Sequence, residues 1–117
     1  MRIHRSSFLL EVVIVFDNEQ KQTLQHQGYM PKKVMLPIKV TESNCATLYS
    51  VKLNNIYINK NKFQKLFKFQ PYGEEGPIET IRYEKNGDII FDLFAVDPIL
   101  YLLTIENILY ETMHTDQ

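Results

Sequence analysis

The sequence predicts an α+β domain: a mostly antiparallel sheet, or a small partly open barrel, of about five or six strands, completed by a C-terminal helix. Three observations carry this prediction. Apolar segments rich in β-branched residues, some strictly alternating, recur along the chain. An Asn-Gly pair, Asn86-Gly87, stands between two apolar runs, and an Asp-Pro pair, Asp97-Pro98, precedes a final apolar segment.

Taken in order, Phe8–Phe16 is too short for a helix and apolar on both faces, which predicts a central strand covered on two sides. Residues 17–33 are polar, rich in Gln and end in Gly28-Tyr29-Met30-Pro31, and they read as a loop with at most one helical turn. Val34, Leu36, Ile38 and Val40 then alternate with Met35, Pro37 and Lys39. That is a strand pattern, and because Pro37 cannot donate to a ladder, the strand belongs at an edge or carries a bulge. Leu48–Ile58 is a third strand region, broken by Asn54-Asn55 as a hairpin turn would break it. Between residues 59 and 69, Phe63, Leu66 and Phe67 fall at helical spacing and predict a short helix, although Phe67 and Phe69 also fit strand alternation. Ile78–Glu84 and Ile89–Ala95 form a hairpin around Lys85-Asn86-Gly87-Asp88, since a type I′ turn needs positive φ at both central residues and Asn-Gly tolerates it. Asp97 and Pro98 read as N-cap and first residue of a helix over Ile99–Met113, with Leu102, Ile105, Leu109 and Met113 on one side. Leu100, Leu103 and Tyr110 cover much of another side, so this helix is expected to be deeply buried or to form a contact for homo-oligomerisation.

Residues 1–117 read as a single domain. With 44% apolar and 23% charged residues, the chain has the make-up of a globular protein with its own core, not of a disordered segment or a disulfide scaffold. Cys45 stands alone, without a CxxC partner, and no Asn-x-Ser/Thr sequon occurs, so a cytoplasmic location is expected. Arg2, His4 and Arg5 ahead of Phe8–Phe16 resemble the start of a signal peptide, but Glu11 interrupts the apolar run and Asp17-Asn18-Glu19 follows it. The apolar stretch Ile89–Ile105 holds Asp92 and Asp97, which argues against a membrane span.

The motifs of catalysis are missing. His4, His26 and His114 lie far apart without metal-ligand spacing, and no Gly-rich phosphate loop or nucleophile elbow occurs. Cys45 lacks a neighbouring histidine to activate it. Asp88 and Asp92 share a strand face, where solvation is the simplest account. The reading is therefore of a non-enzyme with no cofactor and no metal.

Charge is the stronger signal. Residues 1–42 carry +2, residues 43–73 carry +5 with no acid, and residues 74–117 carry −8, for a net charge of −1. One account is that the basic and acidic stretches face each other within the fold. The functional expectation is a small protein-interaction module, of the inhibitor, immunity or phage-accessory type, whose acidic C-terminal half meets a partner protein with a basic face. Its expected contact residues are Glu74, Glu75, Glu79, Asp88 and Asp92, taken as loop and hairpin positions. The alternative is nucleic-acid binding through Lys60, Lys62, Lys65 and Lys68 with Phe63 among them, because lysines neutralise phosphates and exposed aromatics stack on bases. Core phenylalanines with solvating lysines are the plainer account of the same stretch.

Phe8-Leu9-Leu10-Glu11-Val12-Val13-Ile14-Val15-Phe16-Asp17-Asn18-Glu19, followed by Gly28-Tyr29-Met30-Pro31, resembles the opening of the C-terminal β-barrel domain of translation elongation factor Tu, over about a fifth of the chain. Met30 stands where that family has arginine, and Gln20-Lys21 where it has paired glycines. The resemblance implies a small barrel that binds protein or tRNA.

Overall fold

A computed structural model of the chain describes residues 7–29, 32–41, 44–71, 79–94 and 99–107. The described residues form nine strands: β1 (Ser7–Phe16), β2 (Lys21–Tyr29), β3 (Lys33–Val40), β4 (Asn44–Leu53), β5 (Ile56–Ile58), β6 (Phe67–Pro71), β7 (Glu79–Lys85), β8 (Asp88–Phe94) and β9 (Ile99–Glu106). One helical turn, α1 (Lys60–Phe63), runs into a 3-10 turn at Gln64–Leu66 between β5 and β6. All pairings are antiparallel. A six-stranded sheet has the order β2-β1-β4-β8-β7, with β5 added to β4, and a three-stranded sheet has the order β3-β9-β6.

The two sheets share one core. The larger sheet contributes Phe8, Leu10, Val12, Ile14 and Phe16 of β1, Ala46, Leu48, Val51 and Leu53 of β4, and Ile89, Phe91 and Leu93 of β8. The smaller sheet contributes Val34, Leu36, Ile38 and Val40 of β3, Phe67 of β6, and Tyr101, Leu103 and Ile105 of β9. The shortest dimension of the molecule, 19 Å, suits two stacked sheets whose planes lie about 10 Å apart.

Several expectations meet the structure directly. Val34–Val40 alternates as predicted, and β3 with Pro37 is an edge strand paired only to β9 among the described residues. Asn54 and Asn55 take φ of 52° and 68° in the turn between β4 and β5. Asn86 and Gly87, with φ of 54° and 83°, join β7 to β8 with Lys85 opposite Asp88. Phe8–Phe16 is a central strand, flanked by β2 and β4, although its second face is only half-buried.

The fold class is corrected. There is no α+β arrangement and no closed or nearly closed barrel of the elongation-factor kind: the described residues are two antiparallel sheets. The segment expected to start a helix over Ile99–Met113 is β9 as far as Glu106, so no apolar C-terminal helix offers an oligomer contact there. Tyr101, Leu103 and Ile105 alternate inward, and β9 is central in its sheet, hydrogen-bonded to β3 on one side and β6 on the other. On its other face Leu100 and Leu102 are half-buried and Thr104 is buried, so the strand carries apolar residues on both faces, and such a run also fits a helical period. Asn107, at φ 54°, ends the strand, while residues 108–113 and the Asp97-Pro98 pair lie outside the described residues. The expected loop at 17–33 is also overturned: Lys21–Tyr29 is β2, an edge strand with only Leu24 buried, which is why its composition reads as polar.

Candidate functional site

The side of the larger sheet that turns away from the core is the surface with the most chemistry. The cross-strand register lays one row across five strands: Lys21 of β2, Val15 of β1, Thr47 of β4, Ile90 of β8 and Tyr83 of β7. A parallel row places Cys45 beside Asp92, and another places Glu11 between Gln25 and Lys52, with Tyr57 of β5 beyond. Aromatic rings stand out from this face, with Tyr49 53%, Tyr57 69%, Tyr83 42% and Phe94 46% exposed.

Tyr49 owes its position to a bulge. Val13 pairs with Ser50 and Ile14 with Leu48, so Tyr49 is the extra residue. The bulge resets the strand's alternation, which lets Leu48 and Val51, three positions apart, both face the core and turns Tyr49 outward. Lys21 Nζ lies 4.1 Å from the Tyr49 ring centroid and Lys52 Nζ lies 5.0 Å from that of Tyr57, both within cation–π range. Beside Tyr49 an open cavity of about 460 Å³ is lined by Val15, Glu19, Lys21, Lys60 and Asp88.

The charges here are mostly paired. Lys60 Nζ is 3.4 Å from Asp88 Oδ1 and donates to the Leu48 carbonyl at 3.5 Å. Lys52 Nζ is 3.5 Å from Glu11 Oε1, and Glu11 also accepts from Gln25 Nε2 at 3.0 Å. Cys45 Sγ lies 3.7 Å from Tyr83 Oη and donates to Asp92 Oδ1 at 3.9 Å. The hydrogen bond with Cys45, followed by partial desolvation and the charges of Cys45, Asp92 and Asp17, holds the Tyr83 phenol above its ordinary pKa, because each disfavours the phenolate. Among the described residues no imidazole touches the thiol: His26 sits on β2 against the Phe8 ring.

Of the residues expected to bind a partner, Asp88 and Asp92 fall together on this outward face of β8. Glu79 opens β7 at the sheet edge, and Glu74 and Glu75 lie outside the described residues. The basic and acidic stretches partly neutralise each other: Lys60 pairs with Asp88, and Lys68 Nζ lies 3.9 Å from Glu106 Oε1. The lysine-phenylalanine segment does not present stacking rings. Phe63 is 1% exposed and part of the core, Phe67 is buried, and Phe69 packs edge-on against Phe91 with centroids 4.5 Å apart. Lys60 and Lys62 precede Phe63 in α1, Lys65 lies in the 3-10 turn and Lys68 in β6. Of the exposed rings on this face, Tyr57 precedes the lysine-aromatic segment in sequence, whereas nothing in the sequence pointed to Tyr83 or Phe94. The one signal for Tyr49 was the slip in alternation between Leu48 and Val51.

Among the described residues, no group of three or more His, Cys, Asp or Glu side chains is placed to hold a metal ion, and no helix is long and apolar enough to cross a membrane. Comparison with protein-family models, curated proteins and solved structures finds no match to this chain.

Proposed function

We propose that the protein is a non-catalytic protein-interaction module that docks a partner protein on the outward face of its six-stranded sheet. The observation that carries this reading is the composition of that face. Val13, Val15 and Ile90 are only half-buried, the rings of Tyr49, Tyr57, Tyr83 and Phe94 project from it, and ion pairs surround them. Exposed apolar area rimmed by polar groups marks interaction surfaces, and aromatic residues are enriched at the centres of interfaces. The half-exposed alternate side chains of β1, on a strand whose composition suits cover on both sides, support the same reading.

Asp92 and Asp88 supply the electrostatic component toward a partner with a basic face. Because Lys60 offsets Asp88, Asp92 carries more of the steering. The test is retention of proteins from nuclease-treated native lysate on the tagged chain. The expected result is a stoichiometric protein partner that survives nuclease. Tyr49→Asp should weaken its binding at least about tenfold, and Asp92→Lys should slow its association at low salt. Binding that disappears with nuclease would replace this reading with the nucleic-acid one, and a partner indifferent to both substitutions would place the docking surface elsewhere.

A further inference from the structure

Sheet edges are templates for another strand, and proteins blunt them with proline, short length or cover. Most edges here are blunted. β3 has Pro37 at its centre, β6 is five residues long and ends on Pro71, and β5 has three residues. β2 lies against β3, with Gln22 Nε2 donating to the Lys39 carbonyl at 3.0 Å. β7 is different. It has seven residues and no proline, Arg82 through Lys85 are exposed, and it pairs only with β8 among the described residues.

The two-residue turn makes Lys85 and Asp88 the closing pair, so residues 81, 83 and 85 exchange hydrogen bonds with β8. Residues 80, 82 and 84 then direct their N–H and C=O groups away from the sheet. Charged side chains on an edge ordinarily repel a second strand, but the order Arg82-Tyr83-Glu84 is self-complementary under a two-fold axis.

We propose that β7 is a homodimerisation edge: two copies pair β7 antiparallel about a two-fold axis at Tyr83, joining their larger sheets into one. In this register Arg82 of each copy lies opposite Glu84 of the other, giving two symmetry-related ion pairs on one face of the new sheet. The outward backbone groups of residues 82 and 84 supply the inter-copy hydrogen bonds, and the two Tyr83 rings meet on the opposite face. The pattern of outward backbone groups permits this register, and the charge order selects it. Edge pairing shares Tyr83 with the docking surface proposed above and leaves the rest of that face open, including Tyr49 of β4 and Asp92 of β8.

The test is sedimentation velocity of the full chain over a range of concentrations. Wild type should show a reversible monomer–dimer equilibrium. Arg82→Glu and Glu84→Arg should each raise the dimer dissociation constant about tenfold or more, because each turns two attractions into repulsions. The double variant R82E/E84R restores both pairs in reverse and should recover wild-type dimerisation. Circular dichroism at low concentration checks that each variant keeps its strand content. A wild-type chain that stays monomeric at every concentration overturns the proposal without any variant, as does a dimer indifferent to the single substitutions or a double variant no tighter than the singles.

Discussion

Gln64 is a buried polar side chain at the corner where the chain leaves one sheet for the other, and its replacement gives a sharp test of the packing. It is 2% exposed, its Oε1 accepts the buried Ile89 N–H at 3.1 Å, and its Nε2 makes a longer contact with Asn61 Oδ1 at 3.5 Å. Gln64→Met keeps nearly the same volume, so little cavity cost arises, but the Ile89 donor is left without an acceptor. An unmade buried hydrogen bond costs about 1–3 kcal/mol. The lower part of that range applies because methionine gains some apolar transfer energy, which leaves about 1–2 kcal/mol. For a domain of this size that is a fall in Tm of about 4–8 °C. Gln64→Glu sharpens the test. Protonated, the side chain still offers a carbonyl oxygen to Ile89, but ionised it places a charge at a buried site. Burial raises the folded-state pKa of such a glutamate above its unfolded value of about 4.3, so the variant is most stable below that value and loses stability as pH rises toward the folded-state pKa. Urea unfolding followed by circular dichroism, with Gln70→Met at an exposed position of β6 as the control, reads both effects. A Gln64→Met protein as stable as wild type, or a Gln64→Glu protein whose deficit ignores pH, would refute the argument.

Three further outcomes are expected. Thr104 is 2% exposed and its Oγ1 has no hydrogen-bond partner among the described residues, so Thr104→Val should raise stability by about 1 kcal/mol in the same urea assay. Gly87 takes φ 83° in the β7–β8 turn with open space around it, so Gly87→Ala should cost about 1–2 kcal/mol from backbone conformation alone, measured as a fall in the unfolding midpoint. The Tyr83 phenol should titrate above the ordinary tyrosine range by its ultraviolet phenolate absorbance, with Tyr83→Phe identifying its step, and Cys45→Ala should lower that value by removing the hydrogen bond.

What could be read from the chain alone followed the strength of local rules. Val34–Val40 and the Asn86-Gly87 hairpin were legible because period-two alternation and positive φ are properties of a few adjacent residues. β2 was not, because an edge strand with one buried side chain takes its form from pairing with β1, through contacts such as Val12 opposite Leu24. β9 differs for the opposite reason: Ile99–Glu106 carries apolar residues on both faces, with Leu100 and Leu102 half-buried opposite Tyr101 and Leu103, and period alone cannot separate such a strand from a helix. The candidate surface was half legible. Asp88 and Asp92 share a face by strand parity, as expected, whereas Phe63 turned inward and the exposed tyrosines came from a bulge and from pairings between distant segments.

The strand order carries a consequence for how the chain is made. Every strand of the larger sheet finds its partners among residues that have left the ribosome by position 94. β3 and β6 do not, since each pairs with β9, and Val34 waits for Ile105. Until that last described strand emerges, the apolar undersides of β3, β6 and the whole larger sheet have no opposing layer. Closure of the core is therefore a late event governed by long-range pairing, which slows folding and opens an interval in which a nascent chain offers apolar surface to chaperones or to its neighbours on the same polysome.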